Sequence, residues 1–230
     1  MKLVVLSFFR NAAGGQVQRF MQRVADLAEA HRDVHVVAVY GDCVDNTAES
    51  LQAHADVRSI PLTLVSHDHG GPVYGSTEHP DRLRALSGLA NAGLDAVLSL
   101  TKGACVVLYV ESDLIWDAQT VLRLMDKLDK TRDADVIAPL IFAGENFYDV
   151  YAYRGLDGLR FSPQKPYHHL LHHTLLTEVS SVGSCFVMEG WVLKDSRIRN
   201  EQALPGLWQQ ARKLGHRVYV DPTEKVQHPV

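Results

Sequence analysis

The chain has 230 residues, 46% hydrophobic and 22% charged, so it can bury a sizeable core and is neither disordered nor fibrous in composition. Its formal net charge of −4 gives no overall attraction to nucleic acid or anionic lipid. Cys43, Cys105 and Cys185 are odd in number and lack CxxC spacing, which argues against a disulfide framework or zinc knuckle. No run reaches the roughly 18 apolar residues of a membrane span, and the expected setting is a reducing cytoplasm.

Val4, Val5 and Leu6 form a β-rich run ending at residues 7–11 and the turn-forming Gly14-Gly15. Phe20, Met21, Val24, Leu27 and Ala28 follow with helical spacing. Residues 34–40 read as a strand buried on both faces, closed by residues 41–47 and followed by a helix over 48–55. A weaker strand is expected over 57–60, before Pro61 and a glycine-containing loop. Asp81 is the expected cap of a helix running from Arg82 past Leu98 and broken near Gly93. Residues 105–110 are the most apolar strand, after which Asp117 caps a helix through Leu128. Pro139 within the strand 136–142 implies an edge position or a local irregularity, and 147–153 continues the sheet. A strand over 182–188, a helix over 203–214 with Pro205 in its first turn, and a short last strand over 218–220 complete the pattern. Strands alternating with helices predict one α/β domain over 1–230, with a mainly parallel central sheet and helices on both faces.

In an open α/β sheet, ligands sit beyond the carboxyl ends of the strands. Three such ends carry polar clusters, at residues 7–11, 41–47 and 111–113. Neither GxGxxG nor GxxxxGK[ST] follows the first strand, so the dinucleotide fingerprint and the P-loop are absent. Gly14-Gly15 is followed by Gln16, without the glycine-rich phosphate loop and lysine expected of a nucleotidyltransferase. Glu111-Ser112-Asp113 sets two carboxylates directly after a buried run, a donor set suited to a hard divalent cation that takes substrate phosphates as further ligands. The alternative is a solvated acidic turn that helps to cap the next helix.

The ordered set Gly41-Asp42-Cys43-Val44-Asp45-Asn46-Thr47, Arg82-Leu83-Arg84, Ala90-Asn91-Ala92-Gly93-Leu94 and Glu111-Ser112-Asp113 resembles a GT-A glycosyltransferase. Phe147-Tyr148-Asp149-Val150-Tyr151-Ala152-Tyr153-Arg154 and Val182-Gly183-Ser184-Cys185-Phe186-Val187-Met188 narrow the likeness. With them the chain is similar, over almost its whole length, to the fungal Golgi α-mannosyltransferase and capsule-associated mannosyltransferase families. The resemblance implies a single Rossmann-like GT-A domain, a UDP- or GDP-sugar donor, and Mn2+ or Mg2+. It implies that Arg10 and Asn11 flank the nucleotide, that Asp42 and Asp45 bind its base or ribose, and that Arg82 and Arg84 approach the diphosphate. Glu111 is implied to contact ribose or the metal's water, Asp113 to ligate the metal, and His228 to complete the metal site. Read as residues alone, Asp42 and Asp45 also suit an Asx-type turn, and Arg82 and Arg84 a solvated helix surface.

Glycosyl transfer has oxocarbenium character, and an inverting enzyme needs a carboxylate to take the acceptor proton. GT-A enzymes often place it in an acidic pair before the last helix, where this chain has Asn200-Glu201-Gln202. Glu201 is the first candidate base and Asp149 and Glu178 are its rivals; inverting and retaining outcomes both stay open. His168, His169, His172 and His173 contain two i,i+4 pairs of the kind that holds zinc on a helix, but Pro163 and Pro166 favour a polar loop over the acceptor site.

The fungal families are membrane-anchored, whereas compact GT-A enzymes of bacteriophages glycosylate hydroxymethylated bases in DNA. The chain is expected to be almost entirely catalytic core without an anchor. Between Lys194 and Arg217, six basic residues meet two acidic ones, a local +4 against −8 for the remainder. That segment could face DNA phosphates or form an ordinary solvated surface. Tyr148, Tyr151, Tyr167 and Trp208 are candidates to stack on a flipped base. The expected acceptor is a 5-hydroxymethylated base in DNA. A saccharide or glycoconjugate acceptor is the alternative, and a non-catalytic nucleotide-sugar-binding protein the reading outside catalysis.

Overall fold

Runs of Val, Leu and Ile without polar alternation need cover on both faces, and the chain supplies it by following most of its early strands with a helix. The computed structural model describes residues 1–75 and 78–229. The elements in chain order are β1 (Leu3–Phe9), α1 (Gln16–Ala30), β2 (Val34–Tyr40), α2 (Thr47–Arg58), β3 (Leu62–Ser66), α3 (Pro80–Thr101), β4 (Val106–Val110) and α4 (Ala118–Lys130). The second half adds β5 (Val136–Ala143), β6 (Asn146–Phe147), β7 (Thr177–Val179), β8 (Cys185–Glu189), a 3-10 turn (Gly190–Lys194), α5 (Leu204–Lys213) and β9 (Val218–Gln227). All strands share one sheet in the order β3-β2-β1-β4-β8-β5-β9-β7, with β6 paired to β5.

The first half is parallel as expected: β1 pairs β2 and β4, and β2 pairs β3. The second half is mixed, because β8 runs antiparallel to both β4 and β5. Two reversals cancel, so β5 and its parallel neighbour β9 point the same way as β4. This single inserted strand decides where the site forms. The carboxyl ends of β1, β2, β4, β5 and β9 all open on one edge of the sheet.

Successive residues of a strand face opposite sides, and β1 shows which helices cover which face. Phe9 packs edge-on against Phe20 of α1, whereas Leu6 meets α3 at Gly93. α1 contacts α2 and α4 on the first side; α3 lies over β1, β2 and β3 on the other. α5 sits beside α3, tied by the Ala203 amide donating to Ser87 Oγ (3.0 Å), with Trp208 edge-on to Phe186 of β8. Asp117 caps α4 as expected, accepting from the Thr120 amide at 2.7 Å.

Several expectations are corrected. The strand expected over 57–60 is the end of α2 and its exit: Val57 lies on the exposed face of the helix, Ser59 adopts a left-handed conformation, and the strand is β3 beyond Pro61. α3 begins two residues before Arg82, with Pro80 in its first turn and His79 Nδ1 accepting the Asp81 amide, so Asp81 is a first-turn acid rather than the cap. It is also unbroken at Gly93, where the missing side chain permits close approach to Leu6 and Val39. Of the two expectations for Pro139, the local irregularity is met and the edge position is wrong, since the residue lies in the interior of the sheet. It lies past the two-residue pairing of β5 with β8, at a register shift against β9, where no ladder donor is required. Of 147–153, only Phe147 is strand; Tyr153 instead turns back to donate to the Pro139 carbonyl at 2.6 Å. The last strand runs to Gln227, much longer than the three residues expected.

Candidate active site

The turn after β4 is fixed before any ligand arrives. The Ser112 hydroxyl donates to the Phe8 carbonyl (2.6 Å) and accepts from Gln16 Nε2 (2.7 Å), while the Glu111 amide donates to the Ser184 carbonyl (3.0 Å). Glu111 and Asp113 are thereby held at the sheet edge. From the end of β9, the His228 amide donates to the Phe142 carbonyl at 2.7 Å, and the imidazole stacks on Tyr148 with ring centres 3.9 Å apart. This places His228 Nε2 3.5 Å from Asp113 Oδ2.

Asp149 approaches the same place from the segment after β6. One of its oxygens accepts from the Ser184 amide (3.0 Å) and the Ser184 hydroxyl (3.1 Å). That oxygen occupies the space where a side chain on residue 183 would lie, 1.8 Å from an ideal Cβ, so glycine is required there. Glu111, Asp149 and Ser184 line a cavity of about 490 Å3, together with Arg82 of α3, Tyr109, Tyr148 and the start of α5. Sequence reasoning had no signal for the contact between Ser184 and Asp149, nor for Tyr148 as the shelf beneath His228; both join segments far apart in the chain.

Crowding of carboxylates shapes the electrostatics. Burial, then the charges of Asp149 and Asp113, push Glu111 up to about 8, against opposing contributions from Ser184 and Arg82. Asp149 is also raised, chiefly by burial, with the two Ser184 hydrogen bonds working in the opposite direction. Carboxyl groups so disposed are relieved by a cation. His228 Nδ1 lies 2.7 Å from the Pro229 carbonyl, an acceptor only, so this nitrogen carries the proton. In its neutral form His228 then turns the lone pair of Nε2 toward a carboxylate oxygen; in its protonated form the two make an ion pair. A backbone carbonyl fixing the imidazole tautomer is the usual support of a metal-binding histidine, and imidazole with carboxylate oxygen suits Mn2+. The residues present fit a divalent ion.

The other predicted positions divide. Arg82 lines the cavity, whereas Arg84 is exposed and paired with Glu201 (3.0 Å) and Asp81 (2.8 Å). Arg10 donates to the Gly71 and Pro72 carbonyls (both 3.2 Å), and Asn11 Oδ1 accepts the Val44 amide (2.8 Å). Asp42 accepts from the amides of His69 (3.2 Å) and Gly70 (3.0 Å). Asp45 accepts from Ala13 and from both the amide and hydroxyl of Thr47. These four residues brace the loops beyond β1 and β2, and the turn-forming alternative describes Asp45 well.

Among the three candidate bases, only Asp149 lines the cavity. Glu201 is exposed in its pair with Arg84, with a positive φ of 53°. Glu178, in β7 at the sheet edge, is held by Arg217 at 2.7 Å and faces Arg212 at 3.7 Å; it does not join the site.

The histidine-containing segment forms no helix, so neither i,i+4 pair shares a helix face. His168 Nε2 and His169 Nε2 instead lie 3.1 and 3.4 Å from the two oxygens of Asp157. Because His168 Nδ1 accepts the Leu170 amide, the ring is neutral with its proton on Nε2, donated to Asp157. That arrangement pins a loop, and it brings ligand atoms of Asp157, His168 and His169 within 4.8 Å of one another.

Three of the six basic residues of segment 194–217 are turned on the protein itself. Arg197 pairs with Asp95 (2.6 Å), Arg217 with Asp133 and Glu178, and Arg212 donates to the Val179 carbonyl. Trp208 is fully buried, its indole N–H on the Val182 carbonyl, and Tyr167 packs among Phe142 and Phe147; neither is presented to a base.

No protein-family model and no curated protein sequence matches the chain. Solved structures do. A mannosyltransferase from Pyrobaculum calidifontis, in complex with GDP-Man and Mn2+, aligns over 98% of this chain at 12% identity with a TM-score of 0.63. S. aureus TarS with UDP-GlcNAc aligns over 100% at 18% identity and 0.60, and GalNAc-T7 with UDP, GalNAc and Mn2+ over 100% at 15% identity and 0.63. The chain has the fold of GT-A glycosyltransferases. It spans 56%, 59% and 44% of those three chains respectively. Among the described residues, no helix is long and apolar enough to cross a membrane.

Proposed function

We propose that this chain transfers a sugar from a UDP- or GDP-sugar to a hydroxyl group of a saccharide, with Mn2+ or Mg2+ held by Asp113 and His228 and with Glu111 beside them. The observation that carries the reading is the approach of Asp113 Oδ2 and His228 Nε2, 3.5 Å apart, at the carboxyl edge of a sheet with the GT-A fold. A cation bound there would offset charge developing on the departing diphosphate. Arg82, on the cavity wall, adds a fixed positive charge on the side of α3. Neighbours solved with GDP-Man and Mn2+, or with UDP, GalNAc and Mn2+, support the donor class and the metal.

A saccharide acceptor is favoured over duplex DNA by charge. The segment that would meet phosphates has three of its six cations engaged with Asp95, Asp133 and Glu178, and two of the four expected stacking aromatics are buried. For the base, Asp149 is favoured over Glu201 and Glu178. It borders the cavity, and its raised pKa suits a group that must accept a proton. Ser184 fixes one of its oxygens, and the Ala152 amide also donates to the carboxylate, so the group is held in place at the cavity.

Donor hydrolysis with a panel of UDP- and GDP-sugars and Mn2+ reads the activity before an acceptor is known. Asp149→Asn should lower turnover at saturating donor by about 100-fold or more, the range of a lost general base, with donor affinity little changed. Glu201→Gln and Glu178→Gln should keep turnover within a few-fold. Wild-type turnover in Asp149→Asn would remove it as the base.

A further inference from the structure

A second cavity of about 710 Å3 adjoins the first and shares Glu78, Leu83, Tyr151 and Pro205 with it. Its remaining wall is strongly basic, with Arg154, Arg160, Arg212 and Lys213 against the single carboxylate of Glu78. That carboxylate is already committed, since both of its oxygens accept from Arg160 (2.6 and 2.9 Å). Arg212 is partly offset by Glu178 at 3.7 Å. Neither Arg154 nor Lys213 has a carboxylate partner among the described residues. One further polar group faces the same problem. Ser181 is 3% exposed and lines this cavity, yet its hydroxyl finds no hydrogen-bond partner among the described residues. Buried hydroxyls are ordinarily hydrogen-bonded, so the Ser181 hydroxyl is available to a ligand oxygen entering this cavity.

We propose that this second cavity receives an oxyanion carried by the acceptor saccharide, a phosphate or a carboxylate, while the sugar hydroxyl reaches Asp149 through the shared wall. Arg154 offers a planar fork suited to two oxygens of such a group, Lys213 a second charge at the mouth, and Ser181 a hydroxyl donor. Tyr151 lines both cavities, with Arg160 over one face of its ring (5.2 Å). The inference rests on the glycosyltransferase reading above and deepens it to an acidic class of acceptor.

The test uses the full chain with Mn2+ and the hydrolysed donor identified by the screen, adding hexose 6-phosphates, hexuronic acids and neutral hexoses in parallel. Binding is measured by calorimetry and transfer by product analysis. At least one acidic class should bind or saturate transfer at a concentration tenfold or more below the neutral sugars, and which class does so identifies the oxyanion. Arg154→Gln combined with Lys213→Gln should abolish that preference, raising KM for the acidic sugar tenfold or more while leaving donor hydrolysis unchanged. Equal use of neutral and acidic sugars, an unchanged preference in the double variant, or binding of duplex DNA without any acidic sugar would each overturn the inference. Loss of the glycosyltransferase reading would appear separately, as an absence of donor hydrolysis in the wild type; acidic-sugar binding lost in the double variant would still be read by calorimetry.

Discussion

Gly183 and Ser184 do together what neither could do alone: the glycine leaves room for the Asp149 carboxylate, and the serine fixes it with an amide and a hydroxyl. Gly183→Ala would drive a methyl group into that carboxylate and against Tyr153. Overpacking of this kind costs about 1–3 kcal/mol, and here it also displaces a group at the cavity. The variant should unfold at lower urea concentration and lose donor hydrolysis beyond what its remaining folded fraction explains; wild-type hydrolysis would show that the position of Asp149 does not matter. At this scale the sequence was partly readable. The Glu111-Ser112-Asp113 turn was legible as a pair of carboxylates at a strand end, whereas His228 was placed beside it only by the family resemblance; the structure brings His228 to Asp113. Glu178 and Glu201 carry the same chemistry, but nothing local says that each is already neutralised by an arginine brought from elsewhere.

Helix α3 shows how an element can be legible in extent and misjudged in detail. Its period was clear, but Gly93 looked like a break when it is a contact point against β1 and β2. Gly93→Ala should gain about 1 kcal/mol in helix propensity and lose about 1–3 kcal/mol because the new Cβ would lie 2.6 Å from a Leu6 methyl. The expected outcome is a net destabilisation in urea unfolding; an equal or more stable variant would contradict the packing role. β9 was underestimated for a different reason. Asp221, Pro222, Thr223, Glu224 and Lys225 do not read as strand, yet α4 lies alongside with Arg123 on Glu224 (2.7 and 2.8 Å) and Lys127 on Asp221. Those cations, with the Thr223 amide and hydroxyl donating to Asp221, let two nearly buried carboxylates continue a strand. β3 was missed because its residues are only partly buried at the sheet's edge, whereas the exposed Val57 on α2 imitates a strand residue.

At the scale of the whole molecule, one antiparallel strand organises the site. β8 runs antiparallel between β4 and β5, so β5 and β9 end on the same edge as β4, where His228 comes within 3.5 Å of Asp113. A sheet alternating strand and helix was visible in the periodicity; the reversal was not, because strand direction depends on pairing rather than on composition. The net charge of −4 proves to be an average. It combines an acidic edge at the first cavity, a basic segment with three of its six cations in internal pairs, and a basic second cavity. The central claim is that Asp113 and His228 hold a divalent cation that in turn holds a nucleoside diphosphate. Calorimetry of UDP and GDP binding, with and without Mn2+, on the wild type, Asp113→Ala and His228→Ala tests it most directly. The account predicts binding of one nucleotide in the wild type only with the metal, and affinity at least tenfold weaker in both variants at unchanged Tm. Metal-dependent binding of wild-type strength in the variants, or no binding of either nucleotide to the wild type, would contradict it.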